Sequence, residues 1–402
     1  MYLTSEEKAM LAGELGPGVK RAMEIIVALG KIYEAQDLVL VQSVQVAGVS
    51  YKNLDEAGLE FLREWAEQGA QVRVPTTLNP AGMDLAHWRE LGIAEEFARK
   101  QMAVIEAFKA MGIAPSCSCT PYLTGNLPAF GQHIAWSESS AVSFANSVLG
   151  ARTNREGGPS ALAAAVTGRT ARYGLHLDEK RRATHIIKVR CPVTSEADFG
   201  ALGYLVGRWV ENGVPYFKGL EDRGEGRLKA LGAAMAASGA VALYHVEGVT
   251  PEARAGDIVT AEAETVVIDG LDEGYAALNS PIDAIDWVSI GCPHASLNEI
   301  EEVARWLEGR RVKAELWITT AREIKGQAQQ QGLVELIETA GGRVVADTCL
   351  VVAPIEELGL RSMATNSAKA AFYAPTHSGL EVRFGKLEQC LEAAVTGRWP
   401  GS

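Results

Sequence analysis

Three of the six cysteines in this 402-residue chain, Cys119, Cys292 and Cys349, each close a short apolar run that reads as a β-strand. The runs are Ile113 to Cys119, Trp287 to Cys292 and Arg343 to Cys349. Thiolates are soft metal ligands, and an open α/β sheet gathers its ligands beyond the carboxyl ends of its strands. Three thiols delivered there can meet at one metal centre, and three protein ligands rather than four leave a position open for substrate. Gly291-Cys-Pro-His294 and Cys119-Thr-Pro-Tyr122 set two of the thiols at proline-stiffened turns. There is no C-x-x-C pair and no finger-like cysteine/histidine spacing, which argues against zinc. The bland alternative, three small apolar residues that happen to be buried, stays open on the cysteines alone. Cys117, Cys191 and Cys390 are expected to be of that kind.

Other groups are weaker signals. His245 and His294 follow or end apolar runs and read equally as core or as catalytic and supporting groups. Glu138 lies at a helix start, where a carboxylate is favoured by the helix dipole in any case. Lys369 belongs to a polar cluster, Thr365-Asn-Ser-Ala-Lys369, inside apolar sequence, whereas Lys218 has the look of a solvated lysine. No Walker loop, dinucleotide fingerprint, H-E-x-x-H or Gly-x-Ser-x-Gly elbow is present. Gly157-Gly158 before a small-residue helix would suit an anion, or be a plain turn.

These groups need a scaffold. Leu38–Val44, Leu54–Gln68 and Ala70–Val74 predict strand, helix and strand, a βαβ rhythm that favours a parallel sheet. A helical start runs from Ser5 as cap to Ile32, interrupted at Gly16–Gly18. Ser137 is the expected cap of a helix ending near Gly150. From Trp287 onward a βαβαβ pattern is plain. The acidic stretch 249–283 reads as a linker or peripheral hairpin, and Gly200-Ala-Leu-Gly-Tyr-Leu-Val-Gly207 as helix packing. The expected organisation is an N-terminal lobe over 1–183, a middle α/β region over 184–283 and a C-terminal lobe over 284–402. The first lobe carries one of the cysteines and the last carries two.

A net charge of −12 excludes a broad nucleic-acid surface but permits a small anionic substrate in a local basic pocket. No apolar run reaches the length of a membrane span, and the first residues lack signal-peptide features, so a cytoplasmic protein with reduced thiols is expected.

The chain resembles the large, catalytic subunit of the aconitase X family nearly end to end. The resemblance rests on Gln45-Val-Ala-Gly-Val-Ser-Tyr-Lys-Asn53, Thr76-Thr-Leu-Asn-Pro80, Cys119-Thr-Pro-Tyr122 and Ile134–Asn146. It continues through Gly150–Pro159, Tyr244-His-Val-Glu-Gly248, Ile290–Ser296 and Ala364-Thr-Asn-Ser367. It implies an aconitase-like α/β core of several parallel or mixed βαβ lobes around a central cleft. It also implies a dehydratase whose iron–sulfur cluster is held by Cys119, Cys292 and Cys349. That cluster would be [4Fe–4S], isolated in part as [3Fe–4S]; with the cysteines well separated, [2Fe–2S] and mononuclear iron stay open. The resemblance further implies a substrate pocket of Gly48, Val49, Ser50, Asn79, Pro80, Glu138, Ser139 and Lys369, with Lys218 a weaker member. Glu138, Ser139 and His245 are the candidate catalytic groups.

Two substrates occur in the family. Val46–Tyr51, Asn154–Pro159 and Val214–Lys218 resemble the branch that dehydrates mevalonate 5-phosphate in a modified mevalonate route, rather than the cis-3-hydroxy-L-proline branch. Backbone N–H groups around Gly48 and at the 138–149 helix start are expected to hold carboxylate or phosphate. Some relatives append a small swivelling domain that carries a serine base. This chain ends at Ser402 without one, so a separate small subunit is expected, and an inactive large chain without it. A cluster-free binding or scaffold subunit is the reading from another class.

Overall fold

A computed structural model describes residues 1–256 and 258–401. Among them, strands form four sheets in three successive regions of the chain. In the first region β1 (Leu38–Leu40) pairs antiparallel with β5 (Arg169–Ala171), while β2 (Val44–Val46) lies between β3 (Thr76–Leu78) and β4 (Ala135–Trp136), all parallel. In the second, β6 (Ala183–Val189), β7 (Pro215–Lys218), β8 (His245–Val246) and β9 (Val259–Ile268) form a parallel sheet ordered β8-β7-β6-β9. The third holds β10 (Trp287–Ala295), β11 (Glu315–Thr320), β12 (Arg343–Ala346), β13 (Ser362–Thr365) and β14 (Glu381–Phe384).

The order of the last sheet, β12-β11-β10-β13-β14, is that of a doubly wound fold. Its strand order reverses between β10 and β13, which opens a crevice at their carboxyl ends. Every residue of β10 is buried, as a central parallel strand covered on both faces requires. One apolar core spans all three regions. It takes Met83 and Ile93 from the first, Ala201 and Tyr204 from the second, and Trp287, Trp317 and Phe384 from the third. The three regions therefore close on one another, and the crevice ends become an interior cleft.

Several expectations are corrected. Leu38–Val44 is two strands in different sheets, because Val41 and Gln42 bond to Gly168 and His133 between them. Ala70–Val74 is extended but outside any ladder: Val72 and Arg73 donate to Met111 and Ala165, and the strand begins at Thr76. The helix predicted from Leu54 starts at Tyr51 and breaks at Asp55, whose φ is 53°. Thr4, not Ser5, caps the first helix. The run Ile113–Cys119 is no strand. Pro115 has no N–H to give, and the Ser116 hydroxyl takes the Leu78 N–H that a ladder would use. The stretch 249–283 is no linker either. It holds the ten-residue β9 between helices Pro251–Ala255 and Asp272–Ala277. As an edge strand with exposed glutamates, β9 hides its pairing with β6 behind an acidic composition. Gly200–Gly207 does lie in a helix, Glu196–Val210, packed on helix Glu225–Gly239.

Candidate active site

Each thiol reaches the cleft from a different element. Cys292 lies late in β10, behind Gly291, whose φ is 94° and where a Cβ would stand 2.2 Å from the Thr319 carbonyl oxygen. Only glycine permits that approach, so the strand is bent at the point where the thiol leaves it. Cys349 follows β12 by three residues, after Asp347 in a left-handed conformation with φ 64°. Cys119 comes from the 113–120 segment, tied to β3 by the Ser118 N–H on the Leu78 carbonyl at 2.8 Å. All three thiols are buried and free.

One hydrogen-bond donor reaches a sulfur: the His294 N–H donates to Cys119 Sγ at 3.2 Å. The Val352 N–H donates to the Cys349 carbonyl at 3.2 Å, and the Ser367 hydroxyl donates to the Cys292 carbonyl. Burial pushes all three thiols up, Cys349 to about 12, with neighbouring charges of Glu138, Cys292 and Cys349 adding to it. Lys369 opposes the rise at each. Thiols that are neutral when alone, yet share one buried cation, form a setting complementary to thiolates. A metal centre that releases their protons meets that requirement. Among the described residues, no three side chains of His, Cys, Asp or Glu form a single-ion site.

The cation is itself held. Lys369, in the first turn of the Ala368–Ser378 helix that Ser367 caps, pairs with Glu138 and reaches Ser140 Oγ at 3.2 Å. Burial pulls Lys369 down, but Glu138 and the nearby thiols outweigh it and keep the ammonium charged. Burial likewise pushes Glu138 up, while Lys369 and the Ser140 and Ala141 N–H groups hold it below the ordinary carboxylate range. Glu138, rather than Ser137, is the helix cap, accepting from Ser140 N at 2.5 Å and Ala141 N at 3.2 Å. The expectation that this helix start binds an anion is thereby corrected: its N–H groups are already spent on Glu138. Ser139, the next residue, is buried beside it.

The 48–50 and 79–80 segments meet the same loops. Ser50 Oγ donates to the Val352 carbonyl at 2.8 Å, and Gly48 turns with φ 79°. Gly158 backs this turn, since a Cβ there would lie 2.6 Å from the Ala47 carbonyl oxygen. Asn79-Pro80 sits between Leu78, bonded to Ser118, and Ala81, bonded to Asp347 at 2.8 Å. Asn79 Oδ1 and Thr348 Oγ1 are buried without a partner among the described residues, two polar atoms aimed at no protein group. Two candidates gather elsewhere. His245 Nε2 donates to the Arg181 carbonyl, 2.9 Å away, next to the Arg181–Glu252 pair, and burial holds it near 4. Lys218 is half exposed and pairs with Glu247 at 3.4 Å. Neither touches the thiols or Lys369.

Sequence reasoning missed a set of charges that supports the cleft. Arg322 bridges Asp84 at 2.6 Å and Asp347, stitching the 81–87 loop to the Cys349 segment. Arg322→Met takes the guanidinium from both buried carboxylates, leaving Asp84 with Lys325 alone at 4.0 Å. The expected cost is roughly 2–4 kcal/mol, below the full value for a buried pair because the arginine side chain is 42% exposed; urea unfolding reads it. Lys229 bonds both Glu299 oxygens, at 2.8 and 2.6 Å, and lies with Glu196 in a small cavity beside Cys292. Burial and the Glu299 charge push Glu196 up from 4.5 to about 7. The folded chain then keeps a proton that the unfolded chain loses, so this group's stabilisation is full below about pH 4.5 and is lost as pH rises to 7. Glu196→Gln should flatten that slope, by on the order of 2–3 kcal/mol between pH 5 and 7.5 in urea titrations of the apoprotein.

Parallel α/β sheets whose carboxyl ends converge on a buried, thiol-lined cleft define an aconitase-like fold. The chain belongs to the aconitase X family: the first domain of that family is matched over residues 1–179, the second over 183–273 and the third over 285–396. It is 52% identical over 401 residues to the phosphomevalonate dehydratase large subunit of Methanocaldococcus jannaschii, covering 98% of this chain and 100% of that one. The cis-3-hydroxy-L-proline dehydratase of Pseudomonas aeruginosa is 38% identical, over 99% of this chain and 70% of its own length. The crystal structure of Thermococcus kodakaraensis aconitase X in its holo-form superposes with a TM-score of 0.92 at 50% identity, covering 98% of this chain and 100% of that chain. Among the described residues, no helix is long and apolar enough to cross a membrane.

Proposed function

We propose that this chain is the large subunit of a hydro-lyase that removes water from (R)-mevalonate 5-phosphate, giving trans-anhydromevalonate 5-phosphate in a modified mevalonate pathway. In this reading Cys119, Cys292 and Cys349 hold an iron–sulfur cluster, [4Fe–4S]. The observation that carries it is the meeting of three buried thiols with the Lys369–Glu138 pair in one cleft. Bound there, the cluster would supply Lewis acidity toward a poor leaving group, the substrate hydroxyl.

The chain's own residues supply the rest. Lys369 offers a buried positive charge to the substrate carboxylate, worth more in this enclosed cleft than in water. Glu138, with its anion stabilised from four sides, is a weak base, so its part is to hold Lys369 and the helix start. Gly48, Val49, Ser50, Asn79, Pro80 and Ser139 complete the substrate pocket in this reading; the 48–50 and 79–80 segments meet the Cys349 segment through Ser50 and Ala81. The base is then expected from a small swivel-domain subunit working with this chain.

Turnover of mevalonate 5-phosphate and of cis-3-hydroxy-L-proline by the chain with its small subunit tests this, with product followed by NMR. Water loss from the phosphorylated acid, absent when either subunit is left out, is the expected result. Turnover of the imino acid alone would overturn it.

A further inference from the structure

His294, two residues after Cys292, has all four of its polar atoms committed, and three of the four partners belong to the Cys119 and Cys349 segments. Its N–H donates to Cys119 Sγ at 3.2 Å. Its carbonyl accepts from Lys229 at 3.4 Å, and that lysine is anchored on Glu299, whose carboxylate is bound by the Ser296 cap of the next helix. On the ring, Nε2 lies 3.0 Å from the Thr348 carbonyl oxygen and Nδ1 lies 3.2 Å from Ser118 Oγ. A carbonyl can only accept, so Nε2 carries the proton and Nδ1 receives one from the Ser118 hydroxyl. Ser118 Oγ in turn accepts from the Thr120 N–H at 3.1 Å, which bends the chain around Cys119.

We infer that His294 is the positioning residue that sets the spacing of the three thiols. Its ring joins the residue before Cys119 to the residue before Cys349, and its main chain runs two residues from Cys292. The Cys119 segment comes from the first region and the other two from different strands of the last sheet, and the three share no regular ladder beside the thiols. Ser118 belongs to a loop, Thr348 follows β12, and the β10–β11 register is interrupted between Ile290 and Ala295. Without the imidazole, whose two nitrogens bond Ser118 and Thr348, no hydrogen bond among the described residues links the Cys119 segment to the Cys349 segment at this point. Ligand-supporting histidines of this kind typically change metal retention by about 10–100-fold when removed. The inference rests on the proposed role of the thiols as cluster ligands.

The test uses the full chain, loaded anaerobically with iron and sulfide, as wild type, His294→Ala, His294→Gln and Ser118→Ala. Iron release to a chelator, the visible and EPR spectra of the centre, and the thermal midpoint of each apoprotein are measured. His294→Ala should release iron about 10–100-fold faster and shift the spectrum. His294→Gln, which can still reach one ring partner, should fall between, and Ser118→Ala should show a smaller loss with an unchanged apoprotein midpoint. Equal retention and identical spectra in wild type and His294→Ala would overturn the inference while leaving the thiol ligands standing. Iron loss that merely tracks a lowered apoprotein midpoint would also overturn it. If His294→Ala does not fold, unchanged release from Ser118→Ala decides against it. A wild-type chain that takes up no iron would overturn the cluster reading itself, and this inference with it.

Discussion

Cys292→Ser is expected to lower turnover of mevalonate 5-phosphate by at least about a thousandfold, a barrier increase of roughly 4 kcal/mol. The expectation follows from where the thiol stands. It leaves β10 behind a glycine that no other residue can replace, buried, with its own carbonyl held by the Ser367 hydroxyl and Lys369 nearby. Serine nearly fills the same volume but makes a poor ligand for iron, so the loss falls on the chemistry and not on the core. The apoprotein midpoint should move by no more than a few degrees, because one small polar atom replaces another beside existing hydrogen-bond partners. Parallel measurement of kcat, bound iron and thermal midpoint checks this. A scaffold subunit with merely buried cysteines predicts the reverse, activity kept and iron absent in both proteins.

Lys369→Met should destabilise the chain by about 3–5 kcal/mol, because it strands a carboxylate in the interior. Glu138 and Lys369 side chains are only 8% and 7% exposed, so water cannot stand in for the missing partner. With the ammonium gone, burial is opposed only by the Ser140 and Ala141 hydrogen bonds, and the Glu138 carboxyl should hold its proton to higher pH than in the wild type. Glu138→Gln strands the lysine in the same way. The double variant, with no buried charge left, should recover most of the stability yet none of the activity, since the positive charge facing the substrate is still missing. Chemical unfolding and kcat/KM on all four proteins form the cycle. Additive stability losses in the double variant would mean that the two side chains do not act as a pair.

Much of this site was legible in the sequence because the last region follows simple rules. Its apolar runs and the polar residues after them predict a βαβαβ pattern with chemistry at the carboxyl ends of its strands. The structure places Cys292 within β10, Cys349 just after β12 and Lys369 just after β13. Cys119 was harder. Its approach looks like a strand in composition, but Pro115 and the Ser116 side chain replace the ladder, and only the tertiary contact with β3 fixes it. β9 was hidden because an edge strand exposes one face and takes the composition of a linker. His245 misled for the opposite reason: a polar group ending a strand suggests a site, yet its buried partners are Arg181 and Glu252.

The supporting charges were missed because charged residues on helices usually face water. Lys229 had a signal, as a lone lysine in the alanine- and glycine-rich helix Glu225–Gly239. Glu299 also had one, in the Ser296-Leu-Asn-Glu299 capping box. Neither pattern says which distant carbonyl or carboxylate the residue will meet. That information exists only once the three regions have closed on a common core.

Iron and acid-labile sulfide content of the anaerobically purified chain tests the central claim most directly. The account predicts three or four irons per chain with a similar amount of sulfide, lost together in Cys292→Ser. Iron without sulfide, or neither element after anaerobic reconstitution, would contradict it.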